Sequence, residues 1–284
     1  MLRRRSRDRR DQKPREAKPA ASPPDTKRRA REGAVVPEEL KLSKVRPPGR
    51  PRDKARPGNH EAGGPEPKSS SNVVLVTGFD PFGGESTNPS WEICNRLPHE
   101  IGGMRIETCR VPCEFRRAIE VVAEAIERHQ PSIVLSLGQA GGRGRIGVER
   151  VAINVDDARI PDNAGAQPID EQIAANGPPA YFATVPVKAM ARAIRAAGIP
   201  AEVSNSAGTY VCNHVMYGVL HFLAASGGRA RAGFIHVPYA ESQVLERRDV
   251  PGMSIESMTK AIHAAIGAAI DNREDIGVPE GALD

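Results

Sequence analysis

Apolar and polar residues follow two different periodicities after residue 72, and their alternation predicts strands and helices in turn. Strand patterns, mostly continuous apolar runs, lie at 73–78, 104–111, 132–138, 201–204 and 232–238. Apolar residues at helical spacing predict helices that begin near Asn88 and Pro89 and that extend over 114–129, 186–198, 210–225 and 254–270. This alternation is typical of a largely parallel sheet with helices on both faces.

We therefore predict one α/β domain over residues 71–284, a three-layer α/β/α architecture with a twisted, largely parallel but mixed sheet. The segment 139–180 is rich in Gly, Asp and Pro, and only "VERVAIN" within it is strand-like. Loops of this length in compact domains are usually functional. Ligand sites in open α/β sheets lie beyond the carboxyl ends of the strands. This rule directs attention to 78–88, 138–165, 204–213 and 236–243.

Residues 1–70 differ in composition from the rest of the chain. They carry 21 Lys and Arg against 10 Asp and Glu, and 11 of the 25 prolines, whereas the remainder carries 19 basic against 25 acidic residues. Such a stretch cannot bury enough apolar surface to offset the entropy of ordering it, so we predict a disordered basic extension. The acidic remainder argues against a nucleic-acid-binding core, and only weak contact through the extension stays open.

The cysteines predict neither a metal site nor an exported, disulfide-bonded protein. Cys94, Cys109, Cys113 and Cys212 lack metal-ligand spacing, and the chain opens on "MLRRRSRDRR", which resembles neither a secretory signal nor a transit peptide. No apolar run approaches the roughly 20 residues that a bilayer span requires. We therefore expect reduced thiols and a cytoplasmic protein.

Cys212 is the first candidate for chemistry, because it lies where the helix over 210–225 begins. Backbone N–H groups at a helix N-terminus favour a thiolate, and such placements can lower a cysteine pKa to roughly 3.5–7.5. The same groups could hold an oxyanion beside the sulfur. A free cysteine packed as a small hydrophobic residue is the alternative, and the spacing alone leaves both open.

A thiolate that catalyses acyl transfer needs a base, usually histidine, and the sequence contains seven. His214 lies two residues from Cys212, and residues at that spacing point to different sides of a helix. His221 is about half a turn out of phase with Cys212. His236 ends a buried strand pattern at the sheet edge where Cys212 should also lie, so we select it as the base.

The third member of a catalytic triad cannot be chosen by spacing. Five acidic residues fall in the long segment: Glu149, Asp156, Asp157, Asp162 and Asp170. The glycines of "GQAGGRG" in the same segment match neither a P-loop nor a dinucleotide-binding fingerprint, so phosphate binding is not expected.

Five blocks resemble the pyrrolidone-carboxylate peptidase family, also called pyroglutamyl peptidase type I. They occur in family order and cover nearly all of residues 73–240: "VLVTGFDPFGGESTNPSWE", "LSLGQAGGRGRIGVERVAINVDDARIPDNAGAQPID", "GPPAYFATVPVKAM", "AGIPAEVSNSAGTYVCNHVMYGVLH" and "GFIHVPY". The resemblance implies a cysteine exopeptidase that removes N-terminal pyroglutamate. It also implies that no metal or organic cofactor is needed and that the protein is a homotetramer.

Carried over residue by residue, the resemblance implies a Glu149, Cys212 and His236 triad, with Arg159 near the oxyanion site. It implies that Phe79 and Phe82 hold the flat, uncharged lactam ring, that Asn88 lies beside this pocket, and that backbone groups of Gln139 and Val211 contact the lactam. Departures are few: Tyr210 and Ser206 stand where Phe and Thr are frequent. The sequence after His236 differs from the residues usual in the family. This leaves open which substrate residues are preferred beyond the first one.

Two other function classes remain at this point. Another thiol amidase on an α/β scaffold, such as a glutaminase-like amidohydrolase, would use a similar triad. A catalytically silent protein that binds RNA through the basic extension belongs to a different class, and the presence of all three triad residues makes it the weaker hypothesis.

Overall fold

The computed structural model describes residues 71–281. The predicted disordered extension over residues 1–70 lies outside the described residues. None of the helices formed within 71–281 combines the length and the apolar character needed to cross a bilayer.

Strands and helices alternate along most of the described chain. The strands are β1 Val73–Phe79, β2 Glu100–Ile101, β3 Met104–Val111, β4 Ile133–Gln139, β5 Ile146–Glu149, β6 Val151–Ile153, β7 Ala180–Phe182, β8 Ala201–Ser204, β9 Arg231–Val237, β10 Tyr239–Ala240 and β11 Gly252–Met253. The helices are α1 Pro89–Cys94, α2 Arg117–His129, α3 Val187–Ala196, α4 Val211–Ser226, α5 Glu241–Val244 and α6 Ile255–Asp271.

Seven strands form the main sheet in the order β2-β3-β1-β4-β9-β5-β8. The pairs from β3 to β9 are parallel, as is β5 with β8, whereas β2 runs antiparallel to β3 and β5 antiparallel to β9. The prediction of a largely parallel but mixed sheet is therefore confirmed. Because β5 runs against its neighbour β9, residues near the start of β5 lie beside the end of β9.

Side chains on the sheet alternate between two apolar cores, because successive residues of a strand point to opposite faces. One core packs the sheet against α1, α3 and α6, and includes Val74, Val76, Leu135, Leu137, Ile235 and Val237. The other packs it against α2 and α4, and includes Leu75, Val134 and Phe234. The helices therefore cover both faces, which confirms the three-layer α/β/α architecture.

Helix boundaries agree with their sequence signals except at α2. Asn88 caps α1 through its side chain, and Ser254 caps α6 in the same way. The predicted start of α2 at residue 114 is wrong, because Arg116 has a positive φ of 63° and helical structure begins only at Arg117.

The strand-like segment "VERVAIN" does form strand, but it is divided between the end of β5 and all of β6. The chain leaves the main sheet after Glu149, and β6 pairs with β7 in a separate two-stranded sheet. Arg150 lies at the break, where its N–H donates to Ser204 and its carbonyl accepts from Ala183. These two bonds join different segments, so the strand changes partners at this residue.

Candidate active site

His236 and Glu149 form a buried pair on the sheet face that α2 and α4 cover. Glu149 lies opposite Phe234 in the β5–β9 register, and Gly147 lies opposite His236, so all four positions point to the same face. The His236 Nδ1 to Glu149 Oε1 distance is 2.7 Å, and both side chains are almost completely buried. A carboxylate can only accept, so Nδ1–H donates and Nε2 is left as the basic nitrogen.

Cys212 lies over the same face, next to His236. A Cβ atom added to Gly138 would lie 2.9 Å from Cys212 Sγ and 2.7 Å from Phe234 Cζ. Gly138 is the register partner of His236 in the parallel β4–β9 pair, so the sulfur and the imidazole occupy neighbouring positions on one face. The predicted juxtaposition of Cys212 with His236 is present.

The first turn of α4 is fixed in several directions, and this positions Cys212. The side chain of Asn213 accepts from the Ile153 N–H and donates to the carbonyls of Ile153 and Val155, at 2.9 to 3.0 Å. It thereby ties the helix to the segment that follows Glu149. Since residues 212 and 213 point to different sides of the helix, anchoring Asn213 directs the thiol toward the sheet.

His214 is bound to other groups and is not available as a base for Cys212. The N–H of Arg116 donates to His214 Nε2 at 2.8 Å, and a backbone amide can only donate, so Nε2 carries no proton. Nδ1 therefore holds the proton and donates to Asp156 Oδ2 at 2.7 Å. The exclusion of His214 by helical spacing is confirmed.

The geometry distinguishes among the five acidic candidates, because Glu149 contacts His236 and the others lie elsewhere. Asp156 pairs with the ring of another histidine, and Asp162 accepts from the backbone N–H groups of residues 115, 164 and 166. Asp157 and Asp170 are exposed. No group of three or more His, Cys, Asp or Glu side chains in residues 71–281 is arranged to hold a metal ion.

Two effects on the ionisation of Cys212 oppose each other: the helix terminus favours a thiolate, and burial disfavours it. Desolvation raises the pKa of the Cys212 thiol, and Cys113 and Glu149 raise it further, while Arg143 acts in the opposite direction. The penalty for a charged sulfur in this apolar layer outweighs the helix terminus. Burial therefore opposes formation of a thiolate at Cys212 in the free protein.

Arg143 is a site residue that the sequence reasoning did not identify. Its Nη1 lies 3.0 Å from Glu149 Oε1, the same oxygen that His236 contacts. It belongs to the "GQAGGRG" segment that leads from β4 to β5, which the sequence analysis considered for phosphate binding and, at Gln139, for lactam contact, but not for a charged side chain. Nothing in its spacing relates it to Glu149, since the two residues meet only because the loop folds back over β5.

The side chains of the polar residues predicted near the substrate form hydrogen bonds with other residues of this chain. Gln139 Oε1 accepts from Gln243 Nε2 at 2.9 Å, and the same amide lies 3.1 Å from Glu85 Oε2. The Asn88 side chain accepts from the Ser90 N–H and hydroxyl, as a helix cap does. Gln243 therefore joins the segment after His236 to the end of β4, a link that the sequence did not reveal.

The two phenylalanines of "GFDPFGG" occupy different environments. Phe79 is 2% exposed in the core, and its ring centroid lies 6.3 Å from that of Phe234. Phe82 is half-buried in the following loop, 6.0 Å from the ring of Tyr210 at the N-terminus of α4. Only Phe82 therefore presents appreciable surface, and contact of either ring with a ligand stays a prediction.

The start of α4 offers backbone donors rather than charged groups. Tyr210 is the N-cap residue and its side chain makes no capping bond, and Val211 is the first helical residue, with a fully buried side chain. N–H groups in this first turn have no partner within the helix. Arg159 is exposed and makes no hydrogen bond or ion pair with other described residues, so its predicted role stays a prediction.

Replacing Gly138 with alanine should damage both the fold and the site, because the new methyl group would collide with Phe234 and Cys212. We expect the free energy of unfolding to fall by about 1–3 kcal/mol, as for other overpacked cores. Thermal and urea unfolding measure this loss. Gly267→Ala is the matched control, since nothing lies within 4 Å of its added Cβ. Equal stability of both variants would contradict the close approach.

Comparison with known sequences gives one family. The sequence model of the pyroglutamyl peptidase family matches residues 72–272. A pyrrolidone-carboxylate peptidase from Photorhabdus laumondii is 49% identical over 215 residues, which are 74% of this chain and 98% of that protein. One from Yersinia pestis is 51% identical over 211 residues, with the same coverage of both chains.

Solved structures agree with the sequence comparison. Pyroglutamyl peptidase I from Bacillus amyloliquefaciens superposes with a TM-score of 0.70 at 46% identity, covering 72% of this chain and 99% of that one. Pyrrolidone carboxyl peptidase from Thermococcus litoralis gives 0.71 at 43% identity, covering 73% and 99%. The predicted resemblance is confirmed, and this chain belongs to the pyroglutamyl peptidase family.

Proposed function

We propose that this chain is a cysteine peptidase that removes pyroglutamate from the N-terminus of peptides. The observation that carries the proposal is the arrangement of Glu149, His236 and Cys212 on one sheet face, with the thiol at the N-terminus of α4. We assign the nucleophile to Cys212, the base to His236 and the orienting carboxylate to Glu149. Family membership supplies the substrate class.

Acylation begins with proton transfer from Cys212 Sγ to His236 Nε2. The sulfur attacks the pyroglutamyl carbonyl carbon, and a C–S bond forms as the carbonyl oxygen becomes an oxyanion. When the tetrahedral intermediate collapses, the C–N bond breaks and the imidazolium gives its proton to the leaving amine. Glu149 keeps Nδ1 protonated throughout and stabilises the imidazolium, so its charge is needed at each step.

Hydrolysis of the thioester uses the same imidazole. Nε2 takes a proton from water, the hydroxide attacks the carbonyl carbon, and the C–S bond breaks as the second tetrahedral intermediate collapses. The imidazolium returns its proton to the thiolate, which restores the free enzyme and releases 5-oxoproline. No other reactant is consumed.

We assign stabilisation of the oxyanion to backbone N–H groups in the first turn of α4, because they adjoin the sulfur and lack helical partners. Arg159 is assigned a supporting role there. Phe79 and Phe82 hold the lactam ring, while Asn88 and the backbones of Gln139 and Val211 complete its pocket. An uncharged lactam suits such a lining, since a charged anchor would be left unpaired.

The domain and assembly assignments belong to the same proposal. Residues 71–284 are the catalytic domain, and residues 1–70 are an extension that the chemistry does not require. The protein acts in the cytoplasm as a homotetramer. Apolar side chains on the antiparallel β6–β7 pair, Ile153 and Phe182, are exposed and offer surface that a subunit contact would cover. Light scattering of the full chain measures the assembly.

Release of 7-amino-4-methylcoumarin from its pyroglutamyl conjugate tests the activity. We expect turnover by both the full chain and residues 71–284, since the proposed machinery lies between residues 79 and 236. The prolyl conjugate is the matched control substrate: it keeps the ring but carries a charged amine in place of the lactam, and it should not be cleaved. Glutamine deamidation without pyroglutamyl release would contradict the proposal and favour an amidohydrolase.

A further inference from the structure

The carboxylate of Glu149 has two partners on one oxygen and none on the other. Oε1 accepts from His236 Nδ1 at 2.7 Å and from Arg143 Nη1 at 3.0 Å, and Glu149 is completely buried. Oε2 is buried and has no hydrogen-bond partner among the described residues. The guanidinium is therefore the cation that compensates this buried negative charge before His236 takes up a proton.

The sheet leaves space for this guanidinium at one position. A Cβ atom added to Gly147 would lie 3.1 Å from Arg143 Nη1 and 3.4 Å from Glu149 Oε1. Gly147 is the register partner of His236, so Arg143 fills the place that a side chain beside His236 would take. A glycine at this point of β5 is thus what permits the contact.

The charge balance of the site explains why such a cation matters. With Arg143 present, the four groups Arg143, Glu149, His236 and Cys212 are neutral in sum both before and after the thiol proton moves to the imidazole. Without it, a thiolate must form beside a site that already carries a net negative charge. Like charges at this range disfavour ionisation, and a buried uncompensated carboxylate is costly.

We propose that Arg143 is a positioning residue of this site: it holds Glu149 Oε1 against His236 and balances the charge against which the Cys212 thiolate forms. The inference rests on the proposed function, because it assigns the triad the roles given above. Arg143 acts through Glu149 and through its field, and it takes no part in bond formation.

Other charged or titratable groups face the sulfur and must be considered with Arg143. They come from the loop after β3, the N-terminus of α4, β5 and β9, and they are Cys113, Tyr210, Glu149 and His236. Cys113 and Glu149 raise the pKa of Cys212, and Arg143 lowers it. Removing Arg143 therefore leaves both opposing contributions in place and makes the thiol harder to ionise.

The test measures ionisation of the thiol without any substrate. The rate at which iodoacetamide alkylates Cys212 is followed from pH 5 to 10 by mass spectrometry of the peptide that contains it, in the full chain. Arg143→Gln removes the cation, Arg143→Lys keeps a charge with a shorter reach, and Arg145→Gln is the matched control. Arg145 is an exposed arginine two residues along the same loop, with no ion pair among the described residues.

For Arg143→Gln we expect the rising part of the alkylation curve to lie about one pH unit higher, so that the reaction is about tenfold slower at each pH where the rate still increases. Because about a third of the Arg143 side chain is exposed, solvent screens its charge. Its effect on the pKa of Cys212 should therefore lie at the lower end of the range of pKa shifts that a nearby charge causes. In dye release, kcat should fall at least about tenfold, and the acid limb of its pH profile should also move to higher pH. KM should change less than about threefold. Arg143→Lys should recover part of both, and Arg145→Gln should match the original chain.

A curve for Arg143→Gln that overlaps that of the original chain would overturn the inference, and so would a rise in KM with unchanged kcat, which marks a substrate contact. If Arg143→Gln does not fold, Gly147→Ala replaces it, and a smaller shift in the same direction is expected as the new methyl group displaces the guanidinium. If the Gly147→Ala curve is not shifted, the inference is overturned as well. Failure of the original chain to release the dye would instead refute the proposed function and leave the alkylation result standing.

Discussion

Replacing Cys212 with serine should reduce kcat/KM for pyroglutamyl dye release by a factor on the order of 10⁴ or more. The hydroxyl is a far weaker acid than the thiol, and the buried pocket already opposes ionisation of the sulfur. Proton transfer from this hydroxyl to His236 is therefore far less favourable than transfer from the thiol around which the site is built. The fold should be unaffected, because serine is no larger than cysteine and the substitution adds neither a methyl group nor a charge.

Cys109→Ser provides the control for this variant. Cys109 is a half-buried thiol on β3 that packs at the edge of an apolar core, and its Sγ hydrogen-bonds only to the carbonyl of Arg110 among the described residues. We expect activity close to that of the original chain. Circular dichroism and thermal unfolding establish that both variants fold. Retention of more than about one per cent of activity by Cys212→Ser would remove the proposed nucleophile.

The second large effect is expected for Glu149→Gln, with kcat lower by roughly 10³–10⁴ and KM little changed. The reason is the tautomer of His236: an amide can donate to Nδ1, which moves the ring proton to Nε2 and blocks the base. An equivalent exchange in a serine protease costs about 10⁴ in kcat for this reason. The variant also leaves the Arg143 cation without its partner.

Glu107→Gln is the matched control for the charge change. Glu107 also pairs with an arginine, Arg105, at 2.8 Å, but on β3 and near solvent, where such pairs contribute about 0–1 kcal/mol. Steady-state kinetics of both variants separate kcat from KM. A Glu149→Gln enzyme with unchanged kcat would show that His236 needs no charged partner, and the proposed mechanism would lose its third member.

Much of the architecture could be predicted from local patterns. The continuous apolar runs of β1, β4 and β9 indicate strands that are buried on both faces. Helical spacing indicates helices with one apolar stripe. Together these patterns predict a sheet covered by helices on both sides. Ligand sites in open α/β sheets lie beyond the carboxyl ends of the strands, and both Cys212 and His236 lie near such ends. The sequence therefore predicted that they share one edge of the sheet. The cap at Asn88 was equally local, because its side chain bonds the backbone N–H two residues away.

What the local patterns did not reveal depends on partners distant in sequence. The strand-like segment "VERVAIN" is divided at Arg150 because this residue bonds to Ser204 and Ala183, neither of which its own pattern encodes. The effect of burial on the Cys212 thiol was hidden for a similar reason. A helix N-terminus is visible in sequence, whereas the desolvation that outweighs it comes from the packing of several elements around the sulfur.

The sequence by itself determined the alternation of strands and helices, the family, and the two residues whose positions at element ends made them candidates, Cys212 and His236. Spacing could not choose the acid that meets the imidazole: the family resemblance implied Glu149, and tertiary structure gives the physical reason. Glu149 lies 87 residues from His236, and they touch because β5 runs antiparallel beside β9 in one register. The same fold brings Arg143 to that carboxylate. Periodicity records how deeply each residue is buried, and it carries no information about which strand becomes its neighbour.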